Sequence, residues 1–202
     1  MSHYFTDPSN KKQNRRDIPF RFLDFEYKVM SDDGVFSKNG LDIGTESLLK
    51  VLVHQDIKGE VADLGCGIGV IGVILNHYFK LNYTGFDVNS RSVELANINY
   101  QRYQVSGQNI VCDGLDGMFD TIVSNPPIRV GKEKLYQLFD QVYEHLNPGG
   151  VFYYVIRKSH GANSAEAKMN DLFGNCTLLK KDKGFHIYKV FIFIVNYFVI
   201  AF

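Results

Sequence analysis

Four residues near the middle of the chain, Ser124-Asn125-Pro126-Pro127, have the types and spacing that can hold a primary amine. They follow the apolar run 119–123. Two successive prolines cannot continue a helix or a central strand, because each lacks an N–H and has a fixed φ. The sequence therefore predicts a strand that ends at a stiff turn. The Asn125 amide and the neighbouring carbonyls can accept hydrogen bonds from an –NH2 group, so Asn125, Pro126 and Pro127 are candidate catalytic residues.

A glycine-rich loop, residues 63–69 with the sequence DLGCGIG, is the second candidate site. Glycines at alternate positions let a ligand approach the backbone, and the helix that follows presents unpaired N–H groups. Residues 67–72 also match the GxGxxG pattern of dinucleotide-binding proteins, which is a weak signal alone. Asp63 argues against that interpretation, because a fixed carboxylate would repel a pyrophosphate. It suits a cationic ligand instead.

Two further acids end later strands of the predicted sheet. Asp87 follows Gly65 by about the ~20 residues expected for a ribose-binding acid, although it could instead cap the helix from Ser90. Asp113 suits an adenine amino group, with a plain Asp-Gly turn as the alternative. S-adenosylmethionine carries a positive charge, a ribose and an adenine, and it matches these acids. The expected cofactor site comprises Asp63, Gly65, Cys66, Gly67, Gly69, Asp87, Val88, Asp113, Gly114 and Asn125.

Short apolar strands alternate with helices from residue 61 onward. This pattern predicts an α/β fold with a mostly parallel, seven-stranded sheet covered by helices on both faces. The last two strands have no helix between them, which indicates an antiparallel hairpin at one edge. Residues 19–31 predict two short strands or one bent strand, and Thr45 is the expected N-cap of the first helix. The predicted strands are 61–64, 83–87, 109–112, 119–124, 151–156, 177–179 and 185–194, and the predicted helices 45–54, 70–79, 90–103, 132–146 and 162–173, with a turn at 148–150.

The composition is that of one globular domain. The chain has 202 residues, of which 45% are hydrophobic, and 22 basic residues balance 22 acidic ones, so no global field favours nucleic acid or membrane. Three irregularly spaced cysteines predict neither a disulfide framework nor a metal site, and they suit the reduced thiols of the cytoplasm. The apolar segment 190–202 is too short for a bilayer, which needs ~20 residues.

Three parts of the chain are distinguished. Residues 1–17 are expected to form a flexible arm, whose basic cluster is a solvated tail or contacts phosphates on RNA. Residues 18–191 form the predicted domain, with a short N-terminal β extension. Residues 192–202 form an apolar tail with no assigned role. No oligomeric state is predicted.

These motifs resemble those of class I S-adenosylmethionine-dependent methyltransferases. The loop 63–69 with Asp87 is similar to their cofactor motifs, and residues 124–127 are similar to the motif of the branch that methylates amino groups. Segments 34–49, 124–132, 171–175 and 181–190 together resemble the bacterial branch that methylates a guanine 2-amino group in 16S ribosomal RNA. The resemblance implies a single Rossmann-like domain and S-adenosylmethionine as cofactor. It also implies ribosomal RNA or the small ribosomal subunit as partner.

The resemblance also assigns roles to residues. It implies that Asp63, Gly65, Gly67 and Asp87 hold the cofactor, that Asp113 reaches the adenine, and that Asn125 and Pro126 hold the target amine. Ile128 stands where many amino methyltransferases have Tyr or Phe, which favours guanine N2 over adenine N6 or glutamine. Asp42 and Thr45 are expected near the methionine amino group. The expected substrate contacts are Phe36, Ser37, Ile128, Arg129 and Lys132, the last two on flanking phosphates or, alternatively, only on solvent.

Two alternatives remain open from sequence. The first is a methyltransferase for a protein glutamine or a small amine, against which Ile128 argues weakly. The second is a cofactor-binding module of ribosome assembly without turnover, against which the intact turn 124–127 argues.

Overall fold

The computed structural model describes residues 14–33, 35, 41–127 and 131–194. Nine strands, five α-helices and one short 3-10 helix (Lys158–His160) lie in these ranges. The strands are β1 (Arg16–Phe22), β2 (Phe25–Ser31), β3 (Glu60–Leu64), β4 (Asn82–Asp87), β5 (Gly107–Val111), β6 (Phe119–Ser124), β7 (Leu146–Arg157), β8 (Thr177–Asp182) and β9 (Phe185–Phe191). The helices are α1 (Ile43–Leu52), α2 (Val70–Tyr78), α3 (Ser90–Arg102), α4 (Gly131–His145) and α5 (Ala162–Phe173).

Seven strands form one sheet in the order β5-β4-β3-β6-β7-β9-β8. The strands from β5 to β7 run parallel, whereas β9 pairs antiparallel with both β7 and β8. This confirms the predicted α/β sheet and its edge hairpin. β1 and β2 form a separate antiparallel pair, so residues 19–31 contribute to two strands. No helix within the described ranges is long and apolar enough to cross a membrane.

The sheet separates two apolar cores because neighbouring side chains of each strand point to opposite faces. Val61 and Val123 face the core under α1, α2, α3 and the β1–β2 hairpin. Ala62 and Ile122 face the other core, under α4 and α5. Both faces of the central strands are therefore buried, which explains their continuous apolar sequences.

Asn99 of α3 joins the β1–β2 hairpin to the glycine-rich loop. It is fully buried, and its Nδ2 donates to the Met30 carbonyl at 3.0 Å and the Ile68 carbonyl at 2.9 Å. Its Oδ1 accepts from the Met30 N–H at 2.7 Å. A buried ion pair, Arg91 to Asp32 at 3.1 Å, fastens the end of the hairpin to the same helix.

Several helix and strand ends differ from those predicted, and three of these differences change the role of named residues. The α1 N-cap is Asp42 rather than Thr45, because the Asp42 carboxylate accepts the Thr45 N–H at 3.0 Å and the helix begins at Ile43. Arg16 and Asp17, assigned from sequence to the arm, belong to β1.

The third difference concerns the predicted turn at 148–150, which lies inside β7. Gly149 N–H donates to the Ile192 carbonyl at 3.0 Å, and Ile192 N–H donates to the Gly150 carbonyl at 3.0 Å. Pairing with Ile192, the residue after β9, therefore continues the ladder through the Pro-Gly-Gly sequence.

Candidate active site

The two candidate sites meet at the carboxyl ends of the parallel strands. In the parallel registers, Leu64 of β3 pairs with Phe86 of β4 on one side and with Ser124 of β6 on the other. The residues that follow these positions, including Gly65, Asp87 and Asn125, therefore leave the sheet side by side. This is the edge at which open α/β sheets bind ligands.

The glycine-rich loop presents an open backbone at this edge. Gly65 and Gly67 have φ values of 80° and 53°, and a Cβ on either would meet no atom within 4 Å. The space above them is thus free for a ligand. Gly69 differs, since a Cβ there would lie 3.0 Å from the Tyr100 ring, and its missing side chain makes room for α3.

Asp87 holds this loop in shape. Its carboxylate accepts the Gly67 N–H at 2.9 Å and the Asn89 N–H at 2.9 Å. Burial raises the pKa of Asp87, while these two N–H groups act to lower it. The N-cap of α3 is Asn89, so Asp87 does not cap that helix. A carboxylate has further lone pairs and can still accept from a ligand.

Asp63 lies in β3, two residues before Gly65, and only 1% of its surface is exposed. Neither of its carboxyl oxygens has a hydrogen-bond partner in the described part of the chain. Burial, with a smaller effect from Asp87, raises the pKa of Asp63 to about 8. A buried, unpaired anion is costly, and a cation nearby lowers that cost. The site therefore fits a positively charged ligand.

Two clefts adjoin at Gly65. Their empty volumes, including the space open to solvent, are about 470 and 450 Å³. The first lies between the N-terminus of α1, the glycine-rich loop and the turn after β6, and its lining includes Asp42, Thr45, Gly65, Cys66, Gly67 and Asn125. The second lies toward β4 and β5, and its lining includes Asp87, Val88, Asp113, Gly114, Pro127 and Lys134.

The Asn125 amide has a defined orientation. Its Nδ2 donates to Asp42 Oδ2 at 2.9 Å and to Thr45 Oγ1 at 2.9 Å. A carboxylate can only accept, so the NH2 group must face Asp42 and the amide oxygen must face away from it. Asp42 and Thr45, which the sequence placed near the methionine amino group, thus also hold Asn125. Pro126 is buried behind the turn, and Pro127 is exposed on the second cleft.

Asp113 carries a partner that the sequence did not predict. Both of its carboxylate oxygens accept from Lys134 Nζ of α4, at 3.0 and 2.9 Å, and the side chain of Asp113 is 63% exposed. The next residue, Gly114, has φ 128°, and a Cβ there would lie 2.2 Å from Gln141 Oε1. Helix α4 therefore closes one side of the second cleft.

The remaining predicted residues vary in environment. Cys66 is buried against the first cleft, and burial raises the pKa of its thiol, which is neutral at physiological pH. Lys132 is exposed, with its Nζ 5.3 Å from the Tyr136 ring centre. Phe36, Ser37, Ile128 and Arg129 lie outside the described residues. In the ranges that the structure covers, no three His, Cys, Asp or Glu residues are grouped to hold a metal.

Comparison with known proteins identifies the family. The family model named Methyltransferase small domain matches residues 26–189. The chain belongs to this family. It is a class I S-adenosylmethionine-dependent methyltransferase, as its cofactor motifs indicate.

Individual relatives differ in how much of their length the chain covers. It is 34% identical over 194 residues to YbxB of Bacillus subtilis (strain 168), an uncharacterized protein, covering 93% of this chain and 96% of that one. It is 33% identical over 173 residues to ribosomal RNA small subunit methyltransferase C of Pasteurella multocida (strain Pm70), covering 82% of this chain and 52% of that one. The chain thus spans about half the length of such curated methyltransferase C relatives.

Solved structures share the fold. A T. thermophilus 16S rRNA N2 methyltransferase (RsmC), in complex with AdoMet and guanosine, matches with a TM-score of 0.78 and 24% identity, over 88% of this chain and 50% of that one. A methyltransferase from Pyrococcus furiosus matches with a TM-score of 0.60 and 25% identity, over 73% of this chain and 81% of that one.

Proposed function

We propose that this protein transfers a methyl group from S-adenosylmethionine to the exocyclic N2 amine of a guanine in small-subunit ribosomal RNA. The observation that carries the proposal is the fixed orientation of the Asn125 amide, with its nitrogen on Asp42 and its oxygen turned away. An acceptor beside the cofactor loop is what an incoming amine requires. The cytoplasm, where ribosomal RNA is made and modified in bacteria, is the corresponding location.

The names of relatives support the choice of substrate. The methyltransferase C relatives are named for small-subunit ribosomal RNA, and the T. thermophilus neighbour is named for N2 chemistry and holds guanosine. Turn 124–127 alone supports only an amine substrate. The substrate base therefore rests on these relatives and on the resemblance of the surrounding segments.

The chain's own residues fit the cofactor in two halves. Gly65 and Gly67 offer open backbone to the ligand, and the buried, unpaired Asp63 favours a positive charge nearby. We expect Asp87 to accept from ribose hydroxyls, and Asp113 to accept from an adenine amino group through lone pairs that Lys134 does not use. S-adenosylmethionine supplies an electrophilic methyl group on a sulfonium sulfur.

The turn after β6 acts on the amine. The exocyclic nitrogen of guanine is a poor nucleophile because its lone pair is delocalised into the ring. The Asn125 side-chain oxygen and the carbonyl of Pro126 or Ser124 accept its two N–H groups, which favours a pyramidal nitrogen. Catalysis is then mainly positioning, which can supply up to ~7–11 kcal/mol. No general base is required, because the proton can leave after transfer. A base in folded RNA must also be unstacked to reach this turn.

Methyl transfer to RNA tests the proposal directly. Undermethylated small subunits and naked 16S ribosomal RNA are incubated with the protein and labelled cofactor, and the labelled RNA is digested to nucleosides. We expect label in N2-methylguanosine. Label in another nucleoside would show that guanine N2 is the wrong target. Tight cofactor binding with no transfer to any RNA would overturn the proposal.

A matched pair of variants tests the amide. Asn125→Ala should lower the rate of transfer by about 10²–10³-fold, the usual loss for one directional hydrogen-bonding group at a reacting centre, while the cofactor Kd changes little. Asn82→Ala is the control. Asn82 is exposed at the amino end of β4, away from the site, and its side chain donates a hydrogen bond to Glu60. Equal activity of the two variants would remove Asn125 from the mechanism.

A further inference from the structure

Acidic and basic residues are separated along the carboxyl ends of the parallel strands, although the chain as a whole is neutral. On one side of β6, the ends of β3, β4 and β5 carry Asp63, Asp87 and Asp113. On the other side, the end of β7 and the β8–β9 hairpin carry five exposed Lys and Arg residues. One of them, Lys183, pairs with Glu46, and the other four are here called the basic rim. The basic rim consists of Arg157, Lys158, Lys180 and Lys181.

Strand register places the first half of the basic rim beside the Asn125 turn. Ser124 of β6 pairs with Tyr154 of β7, and Arg157 is the last residue of β7. Arg157 therefore lies one strand, ~4.8 Å, to the side of Asn125 and two residues, ~6.7 Å, further along. Lys158 follows it, and its N–H donates to the Gly184 carbonyl at 2.9 Å, which ties it to the tip of the hairpin.

Register also places the second half. Lys181 pairs with His186 of β9, which in turn pairs with Ile156 of β7. Lys181 is thus two strand spacings, ~10 Å, from β7. Burial lowers the pKa of His186, and the charges of Lys181 and Lys158 lower it further, while Glu166 opposes them.

The acids near the basic rim are engaged elsewhere. Asp182 accepts from the Ser47 hydroxyl at 2.8 Å, and Glu46 pairs with Lys183 at 3.0 Å. Glu166 accepts from the Tyr188 hydroxyl at 2.9 Å. Within the part of the chain that the structure describes, none of the four residues of the basic rim forms an ion pair; Arg157 lies over the Phe185 ring, with Cζ 5.7 Å from its centre.

An edge strand often carries lysines because they block pairing with another chain. That reason is sufficient for Lys180 and Lys181 taken alone, since β8 is the last strand of the sheet. It does not apply to Arg157 and Lys158, which follow a central strand. Two basic pairs from different elements, both on the side of Asn125 away from the acids, need another explanation.

We propose that the basic rim binds the phosphate backbone of the RNA whose base enters the Asn125 turn. This inference rests on the proposed function. Phosphate contacts fix the position of a nucleic acid without reading its sequence. The RNA backbone then lies on the β7–β8 side, and the target base reaches the Asn125 turn from that side.

The test compares two double variants, in which basic residues are replaced by glutamine, with a control double variant that has the same change in charge. Arg157→Gln/Lys158→Gln and Lys180→Gln/Lys181→Gln each remove one half of the basic rim. Lys58→Gln/Lys80→Gln is the control. Both lysines are exposed and precede β3 and β4, so they lie at the amino ends of the parallel strands, away from the site. The probe is unmodified 16S ribosomal RNA, and binding is measured between about 50 and 200 mM salt, together with methyl transfer.

Each half of the basic rim should contribute to the salt dependence. Since each phosphate contact adds ~0.7 to the log–log slope for a single strand, we expect each pair to lower the slope by about 1.4, and all four changes together by about 3. KM for RNA should rise while kcat at saturating RNA stays near that of the wild type. The control should match the wild type.

The outcomes separate this inference from the proposed function. Unchanged slope and KM in both rim variants, with transfer intact, would overturn the inference alone. A loss confined to aggregation of the Lys180→Gln/Lys181→Gln protein would assign those lysines to edge protection and also overturn it. Binding that depends on the basic rim without methyl transfer would support the inference and refute the proposed function. No RNA binding by the wild type would overturn both.

Discussion

Asp63→Asn should stabilise the ligand-free protein at neutral pH while weakening cofactor binding. Asp63 is buried without a partner in the described residues, and its pKa is raised from 3.8 to about 8 by burial and then by Asp87. Because its pKa is higher in the folded state, Asp63 does not lower the free energy of unfolding while the pH is below its unfolded pKa. Between about pH 4 and about pH 8 the carboxyl ionises in the unfolded chain but stays protonated in the folded one, so the free energy of unfolding decreases.

The size of the effect follows from the shift. At pH 7, the 3.2 units above the unfolded pKa of 3.8 correspond to about 4 kcal/mol at ~1.36 kcal/mol per unit. Asparagine avoids ionisation but leaves an unpaired buried amide, which costs about 1–3 kcal/mol. The net gain is about 1–3 kcal/mol, or about 2–12 °C in Tm for a chain of this size.

Thermal unfolding of wild type and variant between pH 4 and pH 8 is the measurement. The difference in Tm should be near zero or negative at pH 4 and should grow toward pH 8, because only the wild type titrates at this position. S-adenosylmethionine should bind the variant more weakly, since the negative charge near the sulfonium is gone. In the wild type, binding at pH 7 should release close to one proton. A Tm difference independent of pH would refute the reasoning, because it would mean that Asp63 is not an unpaired buried acid.

Three further outcomes are expected. Gly67→Ala places a Cβ at φ 53° and in open cleft space, so cofactor Kd should rise well above tenfold with a stability loss of about 1 kcal/mol, measured by calorimetry and unfolding. Asp42→Ala should cost about 1 kcal/mol of stability as a lost N-cap, and should lower kcat more than it changes cofactor Kd because it frees the Asn125 amide. Asn99→Ala should lower stability by about 2–3 kcal/mol in urea unfolding, since it leaves one buried and two partly buried backbone groups without this partner.

Local sequence signals were sufficient for most of the fold. Strand β6 and helix α5 begin and end where apolar periodicity and the flanking Pro and Gly residues predict. Those signals act over a few residues, so they failed where the local structure depends on a hydrogen bond to a residue outside that range. Pro148-Gly149-Gly150 reads as a turn locally, but pairing with Ile192 keeps it in a strand. Thr45 is a good N-cap by type, but the chain supplies Asp42 three residues earlier.

The site shows the same division. The ends of β3, β4 and β6 could be aligned from sequence, because parallel strands end at one edge, and this brought Gly65, Asp87 and Asn125 together. The pairs Asp42–Asn125 and Asp113–Lys134 could not be predicted. They depend on how α1 and α4 lie over the sheet, and residues 83 positions apart carry no local signal of contact.

Helix α1 connects the proposed amine site to the last strands of the chain. Its first turn holds the Asn125 amide through Asp42, while the neighbouring Ser47 hydroxyl donates to Asp182 at 2.8 Å. Lys183, at the tip of the β8–β9 hairpin, pairs with Glu46 of the same helix at 3.0 Å. The ends of β3, β4 and β5 carry the proposed cofactor residues, but the orientation of the Asn125 amide depends on a helix that is hydrogen-bonded to the hairpin. Since that hairpin also carries Lys180 and Lys181, the element that would meet the RNA backbone is in direct contact with the element that orients the amide.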